Sequence, residues 1–155
     1  MKYKNLRFEI ENNIGNIILD RPEAANAITV PLVKELLDVA IKCESGAPVR
    51  VLTLQGEGPI FCAGGDLKFM TEQENLREAI SEMIGILHVA LTKLDHLDTP
   101  LIGGITGTAA GAGLSLVSAC DMAIAGRGVK FTSAYTAAGL TPDGSSTFHL
   151  PRSIG

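Results

Sequence analysis

The sequence predicts an α/β fold whose strands run mainly parallel. Segments with the two-residue period of strands alternate along the chain with segments of helical period, the order expected of strands joined by packed helices. Among the strands after the first two, the one at 49–54 reads as short and buried. Two turns are rich in Gly and Ala, which lets neighbouring elements come close.

Residues 3–10 and 14–20 alternate around Glu11-Asn12-Asn13 and read as a hairpin. RPEAANA (21–27) is a loop. Pro31 opens a helix, with Leu32, Val33, Leu36, Leu37, Ala40 and Ile41 on one face; Gly46 and Pro48 end it. Residues 49–54 form a short buried strand and 56–66 a glycine-rich loop. A long helix is expected over 73–97, with an apolar stripe of Ile80, Met83, Ile84, Leu87, Leu91 and Leu94, and Thr99-Pro100 stops it. Then follow a strand (101–105), a small-residue turn (106–113), a buried helix (114–120), two strands (121–125 and 129–131), a helical turn near 133–138, a loop (139–145) and a helix from Ser146.

With 155 residues, 46% hydrophobic and 19% charged, the chain has material for one domain and one core. A net charge of −4, with no run of Lys or Arg, argues against a nucleic-acid partner. The cysteines, Cys43, Cys62 and Cys120, match no metal or redox spacing and read as free thiols. The polar N-terminus is no signal peptide, and the apolar runs are too short to span a membrane. The expectation is a soluble cytoplasmic protein without a membrane partner.

Two small-residue turns carry the chemical signal. The first is Phe61-Cys62-Ala63-Gly64-Gly65-Asp66-Leu67-Lys68, where a ligand can touch the backbone and Asp66 can cap the next helix. The second, Gly107-Thr108-Ala109-Ala110-Gly111-Ala112-Gly113-Leu114, leads from a strand into a helix whose free N–H groups suit an anion. Neither is a P-loop, since no Gly-Lys-Ser/Thr follows, and neither has the setting of a dinucleotide fingerprint. Cys62 reads as a small core residue rather than a nucleophile.

LDRPEAANAI, GPIFCAGGDLKFM and TPLIGGITGTAAGAGLSLVSACDMAIAG, taken in order and spacing, resemble the crotonase (enoyl-CoA hydratase/isomerase) superfamily from about Leu19 to Gly155. The resemblance implies a spiral of ββα units making two stacked sheets, the ClpP/crotonase-like fold, and an acyl-CoA thioester ligand. Coenzyme A would be part of the substrate, with no separate metal or redox cofactor. By residue match, one backbone N–H each from Gly65 and Ala112 would form an oxyanion hole, and CoA would lie against Ala24, Ala25, Ala63, Gly64 and Asp66. Lys68 follows as a residue facing either a CoA phosphate or solvent.

The match departs from the hydratases at their two catalytic glutamates, whose positions hold Ser115 and Tyr135. Neither can act as a carboxylate base, which disfavours two-glutamate hydration. Asp143, in Gly139-Leu-Thr-Pro-Asp-Gly-Ser-Ser, reads on its own as a turn former. The resemblance instead makes it the acid of the isomerase-like branches, or the counterpart of the nucleophile in 4-chlorobenzoyl-CoA dehalogenases. His88 matches the dehalogenases' active-site histidine, or is a boundary residue of the long helix. Those dehalogenases carry Trp where this chain has Tyr135, so the isomerase-like branch fits better. The reaction implied is isomerisation of an enoyl or ring CoA thioester through an enolate, with Asp143 moving the proton.

Two alternatives stand beside it: a truncated or inactive acyl-CoA binder, and a Clp-type serine peptidase using Ser115. The resemblance also implies that the chain is the N-terminal core alone, 1–155, lacking roughly a hundred helical residues used in the family for trimer packing. Phe148, Leu150 and Ile154 would then lack packing partners, and the longer protein would be a homo-oligomer, trimer or hexamer.

Overall fold

The computed structural model describes residues 3–155. Strands β1 (Leu6–Glu11) and β2 (Ile14–Leu19) form the expected hairpin, turning through Asn12 and Asn13 at positive φ. Helix α1 (Val30–Glu44) starts at Thr29, whose Oγ1 accepts from Leu32 N–H, and has Pro31 in its first turn. Strand β3 is Val51–Gly56 and β4 Ile60–Cys62; α2 is Leu67–Thr71 and α3 Leu76–Asp95. Beyond them lie β5 (Leu101–Ile105), β6 (Thr108–Ala110), α4 (Ala112–Ser118), β7 (Met122–Ala125), β8 (Phe131–Thr132) and α5 (Ser146–Ile154).

The strands separate into two sheets, β1-β2-β3-β5-β7 and β4-β6-β8. Every strand pair except the β1–β2 hairpin is parallel, as predicted. The smaller sheet corrects the sequence reading. Residues 56–66 and 106–113 are not turns throughout, since β4 and β6 lie inside them, and three-residue strands leave no period to read. The helix expected over 73–97 starts later, as α3, because Asn75 caps it at Glu78 N–H, and the separate helix α2, capped by Asp66 at Phe69 N–H, precedes it.

Leu19, Leu32, Leu36, Leu52, Leu54 and Leu91 lie fully buried between the larger sheet, α1 and α3. Each contributes about 1.5–3 kcal/mol by burial. Of the α3 stripe, Met83, Leu87, Leu91 and Leu94 are buried within the common core, while Ile80 and Ile84 are half-buried. Lys34 and Lys93 add ion pairs between α1 and α3, to Glu82 and Glu44. Met122, Ile124, Phe148 and Ile154 are exposed apolar residues. No helix among the described residues is long and apolar enough to cross a membrane.

Candidate active site

The loop after β2 and the turn after β4 run side by side. Ala63 N–H donates to the Ala25 carbonyl, Ile28 N–H to the Gly64 carbonyl at 2.7 Å, and Asp66 N–H to the Ile28 carbonyl at 2.9 Å. This is one parallel bridge between Ile28 and Gly65. In such a bridge the residues flanking Gly65 bond to Ile28, so the N–H of Gly65 itself points to the opposite side. There it lines a cavity of about 330 Å³. The second turn reaches the same cavity. Gly111 N–H donates to the Thr132 carbonyl and the Gly111 carbonyl accepts from Leu114 and Ser115, while Ala112 N–H opens α4 without an intrahelical partner. Neither Gly65 N–H nor Ala112 N–H has an acceptor among the described residues.

The two turns touch. Gly64 has φ +97°, and a Cβ there would lie 2.9 Å from the Ala110 carbonyl oxygen and 3.3 Å from Ala112 N. A larger residue would hold the turns apart, so glycine is required by both conformation and approach.

The cavity is otherwise apolar. Leu67, Met70, Ile80, Met83, Ile84 and Leu140 line it, and Asp143 is its only carboxylate among the described lining residues. The Tyr135 hydroxyl donates to Asp143 Oδ1 at 2.7 Å. Ser115 is fully buried, and its single proton has two acceptors, the Tyr135 hydroxyl oxygen at 2.7 Å and the Asp143 carbonyl at 2.9 Å. Burial, reinforced by the Asp143 hydrogen bond and charge and opposed by the Ser115 hydrogen bond, pushes the Tyr135 phenol well above the ordinary tyrosine range. It is therefore a neutral donor near neutral pH. The sequence reading saw in Ser115 and Tyr135 lost glutamates, and in Ser115 also a candidate peptidase nucleophile, but no link from either to Asp143. Folded, they converge on the one acid in the cavity, a relation invisible at separations of 28 and 8 residues from Asp143.

Among the other predicted site residues, Ala24 and Ala25 are half-buried on the loop beside the exposed Ala63. Lys68 is exposed on α2 and forms no ion pair among the described residues. Asp66, expected against CoA, has its carboxylate engaged inside the protein, capping α2 and pairing with Arg21 at 3.2 Å. Cys62 is fully buried; burial pushes its thiol up to about 12, which leaves it no thiolate character near neutral pH. Ser115 contacts a phenol and a carbonyl rather than an imidazole, so the peptidase arrangement is not formed.

His88 stands behind the Asp143 loop and does not line the cavity. Its Nε2 accepts from Gly144 N–H at 3.0 Å, which places the neutral ring's proton on Nδ1. His88→Leu is expected to strand this buried N–H and cost about 1–3 kcal/mol. His88→Gln, with an acceptor of its own, is expected to recover part of the loss. Chemical denaturation of the three proteins checks this, and equal stability of His88→Leu and wild type would show that the bond contributes nothing.

The family model described as enoyl-CoA hydratase/isomerase matches residues 9–155. The chain thus belongs to the enoyl-CoA hydratase/isomerase family. A Rhodobacter capsulatus protein named "Probable enoyl-CoA hydratase" is 35% identical over 100% of this chain and 59% of its own length. A trans-2-decenoyl-[acyl-carrier-protein] isomerase of Streptococcus mutans is 28% identical over 100% of this chain and 60% of its own. The crystal structure of an enoyl-CoA hydratase from Bacillus anthracis superposes with a TM-score of 0.89 at 29% identity, covering 98% of this chain and 59% of that one. The chain spans about three fifths of the length of these relatives.

Proposed function

We propose that this chain forms the core of an acyl-CoA isomerase, acting on an enoyl or ring CoA thioester through an enolate. The reading rests above all on two backbone N–H groups at the cavity that have no acceptor among the described residues, and on the one carboxylate among its described lining residues. The thioester oxygen accepts from Gly65 and Ala112. The Asp143 carboxylate takes a proton from a carbon next to the carbonyl, and the electron pair moves onto the oxygen. The protonated Asp143 then returns the proton further along the conjugated system, and the double bond moves. Electrons and protons balance within the substrate, so the step calls for no redox partner. In this reading Tyr135 and Ser115 orient Asp143, and His88 positions its loop from behind. Removing a single oxyanion donor in other enzymes costs about 3 kcal/mol of transition-state stabilisation.

Two-glutamate hydration uses a pair of carboxylates, and in their places Ser115 and Tyr135 supply only hydroxyls, which leaves Asp143 as the single carboxylate lining the cavity among the described residues. Isomerisation of a 3-enoyl-CoA is therefore expected to exceed hydration of crotonyl-CoA by about 10²-fold. Both rates can be followed on one preparation by ultraviolet absorbance and product chromatography. Ready formation of 3-hydroxybutyryl-CoA would overturn the assignment.

A further inference from the structure

We propose that the Arg21–Asp66 ion pair positions the Gly65 N–H, a role that rests on reading that N–H as a donor to the thioester oxygen. The aim of Gly65 is set by Ile28, through the two hydrogen bonds on either side of it. Ile28 closes a segment that is itself tied down. Asn26 is fully buried; its Oδ1 accepts from Arg21 N–H at 2.8 Å, and its Nδ2 donates to the Glu57 and Ile60 carbonyls at 2.9 and 2.8 Å. Those contacts fix the base of the loop. The Arg21 guanidinium fixes its far end, donating to the Ala27 carbonyl through Nη1 and to Asp66 Oδ2 through Nη2. Ala27 precedes Ile28 and Asp66 follows Gly65, so one planar group staples both strands of the bridge at its edge.

The chemistry suits that task. A guanidinium presents a rigid fork of donors, whereas lysine offers one point charge and cannot bridge the same two acceptors in fixed geometry. The paired side chains are 18% and 14% exposed, so water screens them less than a surface pair. Asp66 is bound twice over, since its other oxygen accepts from Phe69 N–H at 2.9 Å and starts α2. Met70 of α2 packs against Gly65, with its methyl group 2.6 Å from where a Cβ on Gly65 would lie. The ion pair thus holds the donor turn both through Ile28 and through the helix packed on it.

A merely structural pair would change stability alone. A positioning pair changes how strongly the bound carbonyl is polarised, and the infrared carbonyl stretch reports that directly. The probe is butyryl-CoA carrying carbon-13 at the thioester carbonyl, bound to the full chain. Wild type is expected to lower the stretching frequency on binding. Asp66→Asn keeps an N-cap for α2 while removing the charge, and Arg21→Lys keeps the charge while removing the fork. Both are expected to lose at least half of the frequency shift with little change in affinity. Their kcat is expected to fall by about tenfold with KM nearly unchanged, a part of the 10²–10³ that follows outright removal of a donor. Thermal melting shows whether each variant is folded, and if Arg21→Lys is not, Asp66→Asn decides. Folded variants with the full wild-type shift overturn the proposal. A wild-type complex without any shift overturns the donor reading and the clamp with it.

Discussion

Asp143→Asn is expected to leave acyl-CoA binding intact and to lower isomerisation by at least about 10²-fold, the lower bound for losing a positioned acid or base. The substitution is nearly isosteric. The new amide oxygen can still accept from the Tyr135 hydroxyl, which now bonds Asp143 Oδ1 at 2.7 Å, so the loop has no reason to move. Only the capacity to take and return a proton is lost. No other carboxylate lines the cavity among the described residues, and Tyr135 stays protonated because it is buried. Nothing nearby can substitute. Steady-state kinetics on a 3-enoyl-CoA, paired with calorimetric binding of a saturated acyl-CoA, separates the two effects. Wild-type turnover by the variant would remove Asp143 from the mechanism. Loss of binding would show that its charge holds the pocket open rather than moving a proton.

The strands and helices that form this site differed in how far the sequence disclosed them. The α1 and α3 stripes, the Asn-Asn hairpin turn and the alternation of strand and helix were legible because each is a local pattern repeated over several residues. Two strands of the smaller sheet were not, since Ile60–Cys62 and Thr108–Ala110 are too short for a period and sit among glycines and alanines; the third, Phe131–Thr132, overlaps the strand expected at 129–131 only at Phe131. The segments that follow those strands line the cavity, with Gly64 and Gly65, Gly111 and Ala112, and Ala134 and Tyr135. Its backbone donors were reachable only by resemblance, because a free N–H has no residue type. The hydrogen bonds around Asp143 were hidden for another reason. Ser115 and Tyr135 are ordinary residues in ordinary segments, and only their common approach to Asp143 distinguishes them. Arg21 was passed over as part of a loop, because nothing in its neighbourhood announces an acidic partner 45 positions away.

Gly113→Ala is expected to destabilise the protein by about 3 kcal/mol, the upper part of the range for overpacking. A Cβ at Gly113 would lie 2.2 Å from the Cys62 carbonyl oxygen and 2.9 Å from its carbonyl carbon. The obstacle is backbone, in β4, so no side chain can rotate away. Either α4 or β4 must retreat. For a domain of this size each kcal/mol corresponds to about 2–4 °C, giving a fall in Tm of about 6–12 °C. The same retreat separates Ala112, at the start of α4, from the turn after β4 that carries Gly65, and the two donors cease to face one point. Activity should therefore drop even at temperatures where Gly113→Ala is folded. Gly85 provides the contrast. It lies exposed in α3 with no atom within 4 Å of a built Cβ, so Gly85→Ala should gain up to about 1 kcal/mol of helix propensity and raise Tm. Opposite shifts for two identical substitutions would locate the constraint in the contact between α4 and β4. An unchanged Tm for Gly113→Ala would mean that the two elements have room to part, and the rigid alignment of the donors would no longer follow from the packing.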